Sequence, residues 1–376
     1  MSKPIVLVTG ASGFLASHII TLLLAEGYAV RGTVRPGRME SLLAAPIAEN
    51  KDFSLVQVDD IATSDLSGAL KDVKFIVHTA SPLAGKASPQ ETLQVGIYSL
   101  FDGTLLNHLK TAKNGTLNVL AAALKAGVSK VVLTSSWGTT LDPSLEKTYQ
   151  GVVFTEKGQF HILLGEAAKI IPVLDWGSVT EEEFLNGVHN PLWTYLAAKI
   201  IAETTAWKFA KENPALDLAT INPPFIYGPP NAQFPPVTPD RLGANIMIYS
   251  LIHGQPGRPP PAQLPPFFCD VRDVARAHVK AITVNRSETP EEKRFLVSGG
   301  HFTWKEAVEY LEKQPDLKSR LPSVTGGAPD PARKLSSIDV TRAREILHVE
   351  EYVRWESTID DTISVILLAE KKLAKV

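Results

Sequence analysis

Cysteine is almost absent: Cys269 is the single one in 376 residues, so no internal disulfide can form and no thiolate metal site can assemble, which fits a reducing compartment. No resident metal is expected. An excess of charge is missing too. Lys and Arg number 38 against 40 Asp and Glu, a net charge of -2, and no run of basic residues breaks the balance. Neither nucleic acid nor an anionic membrane surface is therefore an expected partner. No apolar stretch approaches the roughly 18 residues that a membrane span requires. The opening "MSK" runs straight into "PIVLVTG" without a charged segment and cleavage site, so secretion is not expected and the cytosol is the expected location.

What is present is alternation. "IVLVT", a short β-branched apolar run, ends at glycine, and "GFLASHIITLLLAEG" then changes to helical period and stops at Gly27. The pattern repeats: "YAVRGTV" reads as strand, residues 38 to 49 as helix, "FSLVQV" and "KFIVHTA" as strands, "GTLNVLAAALKAG" as helix and "KVVLTSS" as strand. A helix around residue 195 and the strand "LDLATIN" follow. Short apolar strands alternating with helices predict an α/β fold, a Rossmann-type doubly wound parallel sheet covered on both faces.

From Asn222 the texture changes, with 13 of the 27 prolines lying between Pro223 and Pro266. This reads as an ordered loop region of a substrate lobe in preference to a polyproline partner motif. Residues 1–222 are expected to form the dinucleotide-binding domain and 223–376 mainly a smaller C-terminal substrate-binding lobe, with some segments returning to the main domain. In that lobe "DVRDVARAHVKAI", "TWKEAVEYLEK" and "TISVILLAEKKL" read as helices, the second opened by Thr303 and Glu306 at capping-box spacing.

"VTGASGFLA" places Gly10, Ala11, Ser12 and Gly13 between the first strand and the first helix, which Phe14 and Leu15 open. Glycine lets the backbone turn sharply and approach a pyrophosphate, while a helix N-terminus offers unpaired N–H groups and a positive dipole end. The position at the first strand–helix junction is the one a dinucleotide cradle requires. An NAD site usually carries an acidic residue about 20 positions later for the ribose hydroxyl. Here residues 28 to 39 contain no Asp or Glu and instead present Arg31, Arg35 and Arg38. A guanidinium can fork onto a 2'-phosphate that a carboxylate would repel, so NADP(H) is the expected cofactor.

"NPLWTYLAAKIIAETTAWKFA", residues 190 to 210, sets Tyr195 and Lys199 four apart on one face of a helix. Of the 8 tyrosines only Tyr195 has a lysine four later. With lysine at roughly one position in twenty, about half such a match is expected by chance, so the pair alone does not separate chemistry from a surface contact.

The set "TGASGFLA", "VDDI", "HTASP", "VVLTSS", "YLAAK", "INPPFIYGP" and "DVRDVARAH", in this order from residue 4 to about 285, resembles the extended short-chain dehydrogenase/reductase family. The branch it is most similar to holds dihydroflavonol and cinnamoyl-CoA reductases and microbial NADPH-dependent aldehyde, ketone and methylglyoxal reductases. The resemblance implies hydride transfer from NADPH to a small aldehyde or ketone, by a monomer or homodimer. It implies that Tyr195 protonates the nascent alkoxide, that Lys199 binds the nicotinamide ribose and lowers the tyrosine pKa, and that Ser136 hydrogen-bonds the carbonyl, with Ser135 the competing candidate. It also places Asp60 and Ile61 at the adenine, Thr79, Ala80, Ser81 and Thr134 along the cofactor, and Pro223 and Pro224 near nicotinamide. His78 reads as a packed strand residue, Asp270, Arg272 and Asp273 as structural ion pairing, and Trp137, Trp193 and Phe225 as pocket or core aromatics. Other expectations on the same scaffold are a nucleotide-sugar epimerase, a hydroxysteroid dehydrogenase, or an NADP-holding redox sensor without turnover.

Two departures stand out. Relatives often carry a second basic residue four past the position of Arg35, where this chain has Met39, so that role would fall to Arg38. Similar sequences also run almost directly across two joins where this chain inserts residues 95–111 and 158–174, 17 residues each. The second insert, "GQFHILLGEAAKIIPVL", is hydrophobic at 10 of its 17 positions and lies between Ser136 and Tyr195. One reading is a lid or dimer contact; the other is a pair of translated remnants of short unspliced introns. Either way the inserts are expected as loops or short helices at the edge of an intact core.

Overall fold

The structure, a computed structural model, describes residues 2–80, 105–156, 159–164, 167–172, 177–186, 190–236, 238, 242–285, 293–324 and 334–373. In chain order the strands are β1 (Ile5–Thr9), β2 (Ala29–Val34), β3 (Phe53–Gln57), β4 (Val73–His78), β5 (Lys130–Thr134), β6 (Val153–Phe154), β7 (Gln159–Leu164), β8 (Ala167–Pro172), β9 (Asp217–Asn222), β10 (Phe225–Tyr227), β11 (Phe267–Asp270), β12 (Arg294–Leu296), β13 (Gly300–His301) and β14 (Ser337–Ile338). The helices are α1 (Phe14–Ala25), α2 (Pro36–Leu43), α3 (Leu105–Lys125), α4 (Glu181–Asn186), α5 (Pro191–Glu212), α6 (Ile246–Ile252), α7 (Val271–Thr283), α8 (Trp304–Leu311), α9 (Pro315–Lys318), α10 (Thr341–Leu347) and α11 (Trp355–Leu373).

The main sheet runs β12-β9-β5-β4-β1-β2-β3, and its neighbours pair in parallel. Its strands are apolar on both faces because both faces are covered. Val6, Leu7, Val8, Ile76, Val77, Val131 and Val132 have no exposed surface. On one side Val6, Val8 and Val77 pack with Ile19 and Ile20 of α1 and Val274 and Ala277 of α7. On the other, Leu7, Ile76 and Val131 pack with Leu120 and Ala123 of α3 and Ala206 and Trp207 of α5. The chain winds outward in opposite directions from β1, with β2 on one side and β4 on the other, and the crevice beyond the C-terminal strand ends at such a switch point is where ligands bind in this architecture.

A second sheet runs β10-β11-β13. Its core joins Tyr227 and Phe268 to Ile248 and Leu251 of α6, Trp304 of α8 and Ile359 and Ile363 of α11. The expected capping box closes in full: Thr303 accepts from the Glu306 N–H while Glu306 accepts from the Thr303 N–H. β12 returns to the main sheet beside β9. No helix among the described residues is long and apolar enough to cross a membrane.

The second insert departs from expectation. It forms a β-hairpin, β7 with β8, which pair antiparallel from Gln159 opposite Pro172 to Leu164 opposite Ala167. Its apolar runs rich in isoleucine and leucine favour paired strands over a loop or short helix. In the first insert, residues 105–111 form the opening turns of α3, and 95–104 lie outside the described residues.

Candidate active site

The cradle begins where β1 ends. Gly10 has φ +72°, a left-handed conformation, and a Cβ there would sit 3.1 Å from the Ala80 Cα, so both the turn and the close approach call for glycine. Gly13, with φ -78°, is the N-cap of α1. No side chain caps that helix and no acidic residue stands in its first turn, an arrangement that suits an anion at the helix N-terminus. Ser12 and Gly13 are exposed at the mouth of the loop, while Ala11, Leu15 and Ala16 are buried behind it and Phe14 lies between. Thr9 laces the loop to β4: its hydroxyl accepts from the Ala80 N–H (3.1 Å) and pairs with His78 Nδ1 (2.7 Å), and its carbonyl accepts from the Thr79 hydroxyl (2.6 Å). His78 is thus the packed strand residue expected; burial, and then the charge of Lys199, push its imidazole down to about 3. Ser81 lies outside the described residues.

Sequence reasoning missed Gly32. A Cβ there would fall 2.5 Å from the Ala11 Cβ, and Thr33 beside it holds the loop through Gly10 N–H to its hydroxyl (3.1 Å) and Ala11 N–H to its carbonyl (2.9 Å). The central "RGT" of β2 is thus the floor of the cradle.

The three arginines separate clearly. Arg31 donates to the carbonyls of Ala69 and Lys71, both at 2.7 Å, and so serves structure. Arg35, the exposed N-cap of α2, and the half-buried Arg38 have no side-chain hydrogen bond or ion pair among the described residues. Met39 packs against the core. Asp60 curls back on its own loop, accepting from the Ala62 N–H (2.9 Å) and the Thr63 hydroxyl (3.2 Å). Asn118 of α3, also missed, tethers that loop through the carbonyls of Ile61 (2.9 Å) and Ser64 (3.0 Å).

At the end of β5, Thr134 pairs through its hydroxyl with His278 of α7 at 2.7 Å. The two serines then part. Ser135 donates to Glu203 Oε2 at 2.5 Å inside the protein. Ser136, in extended backbone, opens the short 3-10 turn Trp137–Thr140; its hydroxyl accepts from the Gly138 N–H (3.2 Å) and is hydrogen-bonded to Tyr195. Lys199 lies one turn along α5 with its Nζ 6.0 Å from the Tyr195 ring centroid. Both side chains remain partly accessible.

Here the electrostatics differ from the sequence expectation. Burial raises the Tyr195 phenol above its ordinary value, and only the Ser136 hydrogen bond opposes it. Burial lowers Lys199 to about 8, with Glu203 opposing. In the protein alone, desolvation therefore sets the direction for the phenol, and the Ser136 hydrogen bond does not offset it. Pro223 and Pro224 follow β9, both buried, and the Pro223 carbonyl accepts from the Trp137 N–H (3.0 Å). Trp137 is core, packed against Phe154 and Phe267, whereas Trp193 and Phe225 are half-buried. Asp270 binds Arg272 through both oxygens (2.8 Å each) and Asp273 pairs with Arg276, the structural ion pairing expected.

Two family profiles match the chain: the 3-beta hydroxysteroid dehydrogenase/isomerase family over residues 7–151 and the NAD dependent epimerase/dehydratase family over 172–297. The break between them falls on the β7–β8 hairpin. A putative oxidoreductase of Schizosaccharomyces pombe is 34% identical, the match covering 85% of this chain and 84% of the relative. An NADPH-dependent methylglyoxal reductase of Saccharomyces cerevisiae is 29% identical over 98% of this chain and 99% of its own. The solved structure of yeast methylglyoxal/isovaleraldehyde reductase complexed with NADPH superposes with a TM-score of 0.77 at 29% identity, covering 98% of this chain and 99% of that one.

Proposed function

The chain belongs to the extended short-chain dehydrogenase/reductase family, and from that membership we propose that it is an NADPH-dependent carbonyl reductase of small aldehydes or ketones, with Tyr195 as the proton donor. The observation that carries this reading is the meeting of Ser136, Tyr195 and Lys199 at the C-terminal edge of the parallel sheet, where the glycine loop also lies. The residues present fit the cofactor: a cradle at Gly10 that a Cβ would crowd against Ala80, an uncapped α1 N-terminus, and Arg35 and Arg38, whose side chains have no partner among the described residues, where a 2'-phosphate would sit. NADPH supplies the hydride when bound.

The chain's own groups do the rest. Ser136 offers a hydroxyl to the substrate oxygen and holds the Tyr195 phenol beside it. Because its pKa is raised, Tyr195 is protonated at neutral pH and able to give its proton to the alkoxide. Lys199, still largely protonated at neutral pH, sits where its charge stabilises the phenolate left behind and its N–H groups can donate to a ribose hydroxyl. Fluorescence titration with NADPH and NADH, followed by NADPH oxidation against a panel of small aldehydes and ketones, tests the reading. Preference for NADPH with turnover of at least one carbonyl supports it; tighter binding of NADH, or binding without any turnover, overturns it.

A further inference from the structure

Glu203 is 1% exposed and lies on α5 one turn beyond Lys199 and two beyond Tyr195. A buried carboxylate needs donors, and this one has them from β9, β12, the residue that follows β5 and its own helix. Oε2 accepts from the Ser135 hydroxyl (2.5 Å) and Asn222 Nδ2 (2.9 Å). Oε1 accepts from Arg294 Nε (2.9 Å), the Thr220 hydroxyl (3.2 Å) and Trp207 Nε1 (3.4 Å). Burial pushes the carboxyl up, but the Arg294 guanidinium and the hydroxyl donors outweigh it and hold Glu203 ionised. Asn222 also donates to the Ser136 carbonyl (3.2 Å) and Arg294 Nη2 to Thr139 (2.8 Å), so the network reaches the backbone that presents Ser136.

We infer that Glu203 is a positioning residue for the catalytic group: its carboxylate fixes Ser135 and, through the adjoining backbone, Ser136, while its negative charge supports the Lys199 ammonium one helical turn away. This rests on the carbonyl-reductase reading above. Other charges facing Lys199 among the described residues are few. His78 of β4 is held neutral, and α3, packed along α5, brings Lys113, which is tied to Glu181. Arg294 of β12 is engaged with Glu203, and β9 contributes only the neutral Thr220 and Asn222 at this layer. Burial takes Lys199 down to about 8 even with Glu203 opposing it, and Glu203 is the charge that holds the ammonium up. Removing the carboxylate charge weakens the hold of Lys199 on its proton, so every step that needs the ammonium is lost at a lower pH.

The test uses Glu203→Gln, which keeps the shape but not the charge, beside Glu203→Gln/Arg294→Met, which also removes the stranded guanidinium. NADPH affinity is followed by fluorescence from mildly acidic to alkaline pH, with kcat measured alongside. The alkaline limb of both quantities should move down by about one unit in both variants. An unmoved limb overturns the inference and leaves Glu203 a structural brace. So does a limb that shifts in the single variant and returns in the double, since uncompensated Arg294 is then the cause. Should neither variant fold, Ser135→Ala decides: kcat should fall about tenfold with NADPH affinity and the limb unchanged, and an unchanged kcat overturns the inference. A wild-type chain that binds NADPH yet reduces no carbonyl defeats the reductase reading alone, and the binding limb still reports on Glu203.

Discussion

Arg35 and Arg38, at the end of β2, hold no partner among the described residues, whereas Glu203, beneath Lys199, accepts from Ser135, Trp207, Thr220, Asn222 and Arg294 with almost no access to water. The same cleft is thus built in two ways. In the reading proposed above, its cofactor side relies on backbone N–H groups and the guanidinium groups of the exposed Arg35 and half-buried Arg38, whose pull on a phosphate tolerates movement and is weakened by salt. In that reading its catalytic side relies on hydroxyls held by a buried network around the fully partnered Glu203 carboxylate, where one lost partner strands a polar group in low dielectric. On that proposal the first arrangement draws in the cofactor by charge, and the second holds the proton donor in the fixed position that proton transfer demands.

The sharpest break in that comparison should come at its rigid end. Tyr195→Phe removes a hydroxyl and keeps the ring volume, so turnover should fall by about 10²- to 10⁴-fold while NADPH affinity stays nearly intact. Steady-state rates and a fluorescence titration on the same preparation check both halves. Retention of more than a few per cent of activity would assign the proton to another group.

At the open end, Arg35→Ala should cost about ten- to a hundredfold in NADPH affinity, because a charged hydrogen bond to phosphate is worth roughly 1.5–3 kcal/mol. Affinity for NADH and the thermal midpoint should hardly change, since the side chain is exposed and has no partner among the described residues. The loss should shrink as salt is raised. Equal losses for both cofactors would remove Arg35 from the 2'-phosphate.

Gly32→Ala probes the floor between the two ends. The added methyl meets Ala11 at 2.5 Å, and overpacking of this kind costs about 1–3 kcal/mol. Because the cradle moves as a whole, binding of NADPH and NADH should weaken together by a few-fold, with a lower thermal midpoint. A change confined to NADPH would contradict the packing account.

The parts of this cleft that could be read from the sequence are those governed by local rules. The alternation of β1 to β5 with their helices, the glycine turn and the Tyr195–Lys199 spacing each follow from short-range periodicity or backbone geometry. Gly32, Asn118 and Glu203 were not legible, because each acts on residues far away in sequence: Gly32 on Ala11, Asn118 on Ile61 and Ser64, and Glu203 on Ser135 and Arg294. Arg31, Arg35 and Arg38 looked alike for the same reason until the carbonyls of Ala69 and Lys71 claimed the first. The i,i+4 step from Lys199 to Glu203 was the one available signal, and it is indistinguishable from an ordinary helical ion pair.

The smallest effect is expected at the two segments read from the sequence as inserts. Hairpin β7–β8 pairs only with itself in the sheet topology, and Gln159 stands opposite Pro172 at its base. Removing 95–111 shortens α3 to its portion from Ala112 onward, which retains Val119, Leu120 and Ala123, the residues packed into the core. Loop length itself carries only a modest entropic term. A chain lacking both 95–111 and 158–174 should therefore fold, bind NADPH as tightly and reduce carbonyls at least as fast, with improved solubility if the apolar hairpin is exposed. Loss of folding or of turnover on deletion would instead make the inserts working parts, a lid or a contact with a second copy, and would extend the rigid side of the cleft beyond the buried network at Glu203.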